Sequence, residues 1–120
     1  MCRYYKGGTF RFDVRVPNSY PHDPPKVVLK EETKVYHPNI NFDGAVCLNL
    51  LRKEWKPVYT LENVIIGLEF LFLNPEGNDP LNHEVAKIFR ENPARFEANV
   101  RRAMRGQRVD GEDFPNVLSE

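Results

Sequence analysis

The chain has 120 residues and a mass of 14.0 kDa, the length of one compact domain. Hydrophobic residues make up 41% of the sequence, which favours a folded domain over a disordered chain. The 17 basic and 17 acidic residues cancel, which argues against a nucleic-acid-binding module. The longest apolar run, residues 64–73, is interrupted by Glu69 and is shorter than the roughly 20 residues that a membrane-spanning helix needs. We therefore expect no membrane span.

Basic residues are in excess in the first sixty residues and acidic residues in the last sixty. This polarity reflects either an ordinary solvated surface or steering of a charged protein partner. Two cysteines are too few for a disulfide framework, and the N-terminus lacks the apolar core of a signal peptide, so we expect a reducing compartment, the cytosol or nucleus. We expect no metal site, because no CxxC or HxxxH pair occurs among the candidate ligands Cys2, His22, His37, Cys47 and His83.

The first half of the chain predicts strands. Residues 9–16 alternate between apolar and polar side chains, which is typical of a half-buried strand. Gly7 and Gly8 before it suggest a hairpin, although only six residues are left to supply the preceding strand. A turn-rich stretch, residues 17–25, leads into a second short strand at residues 26–29. Residues 35–60 show little periodicity, and irregular segments of this length are usually functional when they are rich in apolar residues.

The second half predicts three helices. Thr60 is a good N-cap for an apolar helix that Pro75 ends, and because this helix is apolar nearly all round we expect it to be central and covered on most sides. Asn82 caps a shorter helix to about residue 91. Asn92 and Pro93 begin a third that Gly106 ends, and residues 107–120 form either a last helix or a tail. Strands followed by helices indicate a single α+β domain.

Cys47 lies in the irregular segment, ten residues after His37. Judged by residue type, it is either an ordinary buried thiol or a nucleophile, with Asn39 as a neutral donor to a developing oxyanion. Pairing of Cys47 with His83 as a hydrolase is disfavoured, because no Asp or Asn recognisably orients that histidine.

Four strings resemble the catalytic core of the ubiquitin-conjugating enzymes: YPHDPPKV at 20–27, HPNINFDGAVCLNLL at 37–51, WKPVYTL at 55–61 and DPLN at 79–82. The resemblance runs from about Tyr4 to Gly106. The strings CLNLL, YPHDPP, FLFLNP and RRAMRG look most like the branch that conjugates the Nedd/Rub-type modifier to cullins. The resemblance implies an antiparallel meander sheet followed by helices. This fold would be truncated at the N-terminus, because the family's first helix and first strand have no counterpart in this sequence.

The resemblance also implies an activity. Cys47 would accept a ubiquitin-like modifier from an activating enzyme as a thioester and yield it to a target lysine, with a RING-type ligase and a cullin substrate as partners. No bound cofactor is implied, since the activating enzyme consumes the ATP. A thiol suits this transfer because a thiolate is a good leaving group, and the reaction requires no base beside Cys47.

Further residues take roles from the same resemblance. Asn39 matches the asparagine that stabilises the oxyanion, or else orders its loop, and His37 orients the turn. Asp79 matches an acidic residue that orients the incoming lysine, or else belongs to the turn before the next helix. His22, Pro57 and Val58 match the two loops that dock activating enzymes and ligases, although Pro57 and Val58 could instead fill the underside of their loop.

Two other functions stay open beside this one. The chain could be a ubiquitin-dedicated conjugating enzyme, or a binding module on the same fold that is never loaded.

Gly77, where the family more often has proline, would make the loop that presents Asp79 more mobile.

Overall fold

The computed structural model describes residues 4–75 and 80–118. Its elements in chain order are strands β1 (Phe12–Arg15) and β2 (Lys26–Leu29), then helices α1 (Leu61–Leu73), α2 (His83–Glu91) and α3 (Pro93–Met104). Two short 3₁₀ turns, Glu31–Thr33 and Asn49–Leu51, lie between β2 and α1. No helix in these ranges is both long and apolar enough to cross a membrane.

The sheet in the described residues is small and antiparallel, with two strands rather than the predicted meander. Strands β1 and β2 pair with Phe12 opposite Leu29 and Val14 opposite Val27. On its other side β2 meets the chain again, where the Leu29 amide donates to the Gly44 carbonyl at 2.8 Å and Val28 forms a single bridge with Ala45. The sheet is therefore two strands extended by one bridge toward residues 39–47.

Strand β1 is shorter than residues 9–16, and among the described residues from Tyr4 onward no strand precedes it to form the predicted hairpin. Gly8 bridges Leu118, and the Thr9 amide donates to the Val117 carbonyl at 2.9 Å. The residues just before β1 thus take their backbone partners from the C-terminal segment.

The three helices begin and end where the sequence predicts. Thr60 and Asn63 form a reciprocal capping box at the start of α1, and the side chains of Asn82 and Asn92 accept hydrogen bonds from the third residues of α2 and α3. On α3 the predicted inward face is buried. Its residues are Phe96, Val100, Ala103 and Met104.

The expectation that α1 is covered on most sides is wrong for the described part of the chain. The helix buries Val64, Leu68 and Leu71, whereas the side chains of Ile65, Ile66 and Phe70 are more than half exposed. The reason is that β2 and the loop of residues 46–55 meet a single face: Val64 and Leu68 cluster with Val27 and with side chains from that loop.

Residues 107–118 form neither of the two predicted arrangements, a last helix or a tail. This segment has no helix and folds back over the core, where Val109, Phe114 and Val117 are buried. The Lys34 ammonium ties it down through a 2.7 Å ion pair with Glu112 and a position 5.1 Å from the ring centre of Phe114.

Candidate active site

A tight hairpin places Cys47 beside Asn39. The Asn41 amide donates to the Ala45 carbonyl at 2.9 Å, Ile40 bridges Val46, and the Cys47 amide donates to the Asn39 carbonyl at 2.8 Å. The seven residues between Asn39 and Cys47 are therefore the hairpin itself, and its register brings the thiol and the asparagine to neighbouring positions.

Gly44 makes this turn possible. Its φ of +95° lies in the left-handed region, and a Cβ there would stand 2.3 Å from the Leu29 carbonyl oxygen. Only glycine allows the hairpin to lie this close to β2. Packing against β2 thereby fixes the position of the hairpin, and with it the positions of Asn39 and Cys47.

His37 holds the other side of the loop. Its side chain is fully buried, with Nδ1 accepting from the Asn39 amide at 3.0 Å and Nε2 lying 3.0 Å from the Leu71 carbonyl oxygen. Because Nδ1 accepts, the proton of the neutral ring is on Nε2, which donates to Leu71. Burial lowers the pKa of His37 to about 4, against a weaker opposing effect of the Leu71 hydrogen bond. A neutral ring with both nitrogens engaged positions Asn39 and is not available as a base for Cys47.

Cys47 and Asn39 both line an open groove of about 480 Å³. Its opposite wall is α1, which approaches closely at Gly67, where a Cβ would lie 3.3 Å from Leu48. Cys47 is 8% exposed and Asn39 is 2% exposed, so both reach solvent through this groove rather than from a convex surface. Other side chains of the groove are mostly neutral, namely Leu48, Asn49, Leu50, Tyr59, Asn63, Ile66, Phe70 and Asn74.

Arg52 is a site residue that the sequence reasoning missed. Its guanidinium Nη1 donates to Cys47 Sγ at 3.1 Å. The only sequence signal is a basic residue five positions after the cysteine, which has no meaning until the 3₁₀ turn Asn49–Leu51 is known. This turn carries the chain back toward Cys47.

The two predicted docking loops lie side by side. The indole Nε1 of Trp55 donates to the Pro21 carbonyl at 3.0 Å, and the rings of Trp55 and Tyr20 are 6.1 Å apart. His22 and Pro57 are exposed, and Val58 is 77% exposed. Val58 therefore does not fill the underside of its loop.

Two other candidate residues, Asp79 and His83, are not placed beside Cys47 by any described contact. Asp79 lies outside the described residues, although Leu81 and Asn82 after it both donate backbone hydrogen bonds to the Pro38 carbonyl. His83 is exposed and, in the described part of the chain, makes no hydrogen bond to Cys47. Within those ranges no three His, Cys, Asp or Glu side chains come together as a metal site.

A model of the ubiquitin-conjugating enzyme family matches residues 2–104. The chain belongs to the ubiquitin-conjugating enzyme family. It is 50% identical over 116 residues to the NEDD8-conjugating enzyme ubc12 of Schizosaccharomyces pombe, covering 97% of this chain and 64% of that protein. It is 54% identical over 115 residues to a probable NEDD8-conjugating enzyme Ubc12-like of Arabidopsis thaliana, covering 96% and 61%.

The solved structure of Saccharomyces cerevisiae Ubc12 superimposes with a TM-score of 0.91 at 42% identity, covering 98% of this chain and 62% of that one. This match confirms the predicted α+β fold of the family. The chain thus spans 61–64% of the length of these relatives.

Proposed function

We propose that the chain is the catalytic core of a conjugating enzyme for a NEDD8-type modifier, which it carries as a thioester on Cys47. The observation that carries this proposal is the hairpin register that sets Cys47 beside Asn39 on the wall of an open groove. The named relatives, at about 50% identity across nearly the whole chain, favour NEDD8 over ubiquitin as the modifier.

The chemistry is two acyl transfers. In loading, the Cys47 sulfur attacks the modifier's carbonyl carbon and displaces the thiolate of the activating enzyme. In discharge, the amine of a target lysine attacks the same carbon, the C–S bond breaks, and the amine proton is released to water. The Asn39 side-chain amide donates to the oxyanion of each tetrahedral intermediate, while its backbone orders the hairpin. Neither step requires a cofactor in this chain.

The modifier's extended tail lies in the groove. The groove's amide groups, those of Asn49, Asn63 and Asn74, can pair with the backbone of an extended peptide, and its apolar side chains can cover the tail. Asp79, which precedes α2 in the sequence, orients the incoming lysine. A free, functional thiol also fits a reducing compartment, the cytosol or the nucleus.

Partners dock on the exposed surface formed by His22, Pro57 and Val58. The Trp55 hydrogen bond to Pro21 holds the two contributing loops together, so an activating enzyme or a RING-type ligase meets one surface rather than two independent loops. By the resemblance of the sequence to its branch of the family, the final acceptor is a lysine of a cullin.

A charging assay tests the proposal. The chain is incubated with the NEDD8 activating enzyme, ATP and NEDD8, and in parallel with the ubiquitin activating enzyme and ubiquitin. We expect a mass increase with NEDD8 that a reducing agent removes and that Cys47→Ala abolishes. Charging by ubiquitin alone would favour the ubiquitin-dedicated alternative. Binding of NEDD8 without any covalent adduct would favour a module that is never loaded.

A further inference from the structure

Arg52 lies against the reacting atom of the site. Its guanidinium Nη1 is 3.1 Å from Cys47 Sγ, although the side chain starts from an exposed position. Two backbone hydrogen bonds bring it there: the Leu51 amide donates to the Leu48 carbonyl at 2.9 Å and the Arg52 amide to the Asn49 carbonyl at 3.0 Å. The contact is thus built by the 3₁₀ turn that follows the cysteine.

We propose that Arg52 is a catalytic residue that stabilises negative charge on the Cys47 sulfur in both acyl transfers. A guanidinium stays protonated at every working pH, so its N–H group is always a charged donor. Hydrogen bonds from charged donors are roughly twice as strong as neutral ones, and this one strengthens as the sulfur gains charge. That differential stabilisation is what accelerates a step.

The role follows the electron pairs of discharge. The lysine nitrogen uses its lone pair to form the C–N bond, and the nitrogen proton passes to water. The electron pair of the C–S bond moves onto sulfur, which leaves as a thiolate. The guanidinium faces that thiolate directly. In loading the same contact stabilises the attacking sulfur as a thiolate, the form that is nucleophilic.

Arg52 differs in its relation to the sulfur from the two charged residues that follow it, Lys53 and Glu54. Glu54 is the one charged side chain among the described residues that line the groove, and it is acidic. Lys53 is exposed and, in the described part of the chain, makes no hydrogen bond to Cys47. Lys53→Gln is therefore a matched control, since it removes one positive charge from the same loop and leaves the contact intact.

The first measurement uses the free thiol and does not depend on the proposed function. In a Cys2→Ser background, only Cys47 remains to react with iodoacetamide. At a fixed pH we expect Arg52→Gln to slow its alkylation about threefold to tenfold, because the attacking sulfur loses the charged donor that stabilises its negative charge. Arg52→Lys should retain part of the rate, and Lys53→Gln should react within about twofold of the parent chain.

The second measurement rests on the proposed function. Chains are charged to completion, charging is stopped by removing Mg²⁺, and loss of the thioester to free lysine is followed. We expect Arg52→Gln to discharge about fivefold to thirtyfold more slowly than the parent, the range for loss of a hydrogen bond from a charged group. Thermal unfolding of each variant within about 2 °C of the parent shows that the fold is kept.

The outcomes separate the two proposals. Alkylation and discharge of Arg52→Gln within twofold of the parent, or an equal fall in Lys53→Gln, would overturn the role of Arg52. If no modifier charges the parent chain, the proposed function fails, and slower alkylation of Arg52→Gln alone would still establish that Arg52 activates the sulfur.

Discussion

Lowering the pH from 7 to 5 should reduce the free energy of unfolding by about 2 kcal/mol through His37 alone. The His37 ring has no exposed surface, stacks on Tyr5 at 5.2 Å and lies 5.2 Å from the ring centre of Phe72. These surroundings disfavour the imidazolium, and burial lowers the pKa of His37 from 6.5 to about 4.

The sign follows from proton counts. Between pH 6.5 and about 4 the unfolded chain holds a proton on His37 that the folded chain does not, so stability falls as the pH falls through this window. The contribution is fully present above pH 6.5. Lowering the pKa from 6.5 to about 4 corresponds to about 3 kcal/mol in all, of which roughly 2 kcal/mol is lost between pH 7 and pH 5.

Urea unfolding at pH 7, 6 and 5 measures this loss in the parent chain, His37→Gln and His83→Gln. The glutamine amide at position 37 keeps a donor for the Leu71 carbonyl and does not titrate, so His37→Gln should lose about 2 kcal/mol less than the parent over this range. His83→Gln is the control, the same substitution at an exposed histidine. A difference between parent and His37→Gln that stays constant from pH 7 to pH 5 would refute a buried neutral imidazole.

Three further substitutions test the site and its supports. Asn39→Ala should slow transfer to lysine about tenfold to a thousandfold while loading survives, measured by single-turnover discharge; normal discharge would remove the amide from the mechanism. Val58→Asp should abolish ligase-stimulated transfer with the melting temperature within about 2 °C, because the side chain is 77% exposed. Gly44→Ala should lower stability in urea by about 2 kcal/mol or more, whereas Gly111→Ala, with a similar φ but nothing within 4 Å of its Cβ, should cost about 1 kcal/mol.

The helices were predictable because their signals are local. Thr60, Asn82 and Asn92 accept hydrogen bonds from amides three residues ahead, and such caps depend on nothing distant in the chain. The exposure of one face of α1 was not predictable, because the apolar residues Ile66 and Phe70 carry no mark of what the rest of the chain will place against them. The composition of a helix shows which side chains it could bury, whereas the fold decides which of them other parts of the chain cover.

The placement of Cys47 beside Asn39 was predictable by resemblance and only in part by physics. The Asp43-Gly44 pair is a strong hairpin signal that would have placed Cys47 opposite Asn39, but its flanking residues lack the alternation that usually accompanies such a turn. The contact of Arg52 with the sulfur depends on one 3₁₀ turn, and the contact of Trp55 with Pro21 joins loops 34 residues apart. Neither contact follows from a periodic pattern in the sequence.

The low exposure of Cys47 is compatible with carrying an acyl group, and the groove explains why. A carrier must react with a protein tail and an amine, yet its thioester must outlast collisions with water. A sulfur that is 8% exposed and opens only into a groove presents one direction of approach. In the proposed function a bound modifier tail would fill much of that direction and exclude water from the carbonyl, so an amine delivered along the remaining opening would compete favourably with hydrolysis. Cys47→Ser would keep this geometry with a poorer leaving group, and its adduct should therefore persist toward lysine far longer than the thioester does.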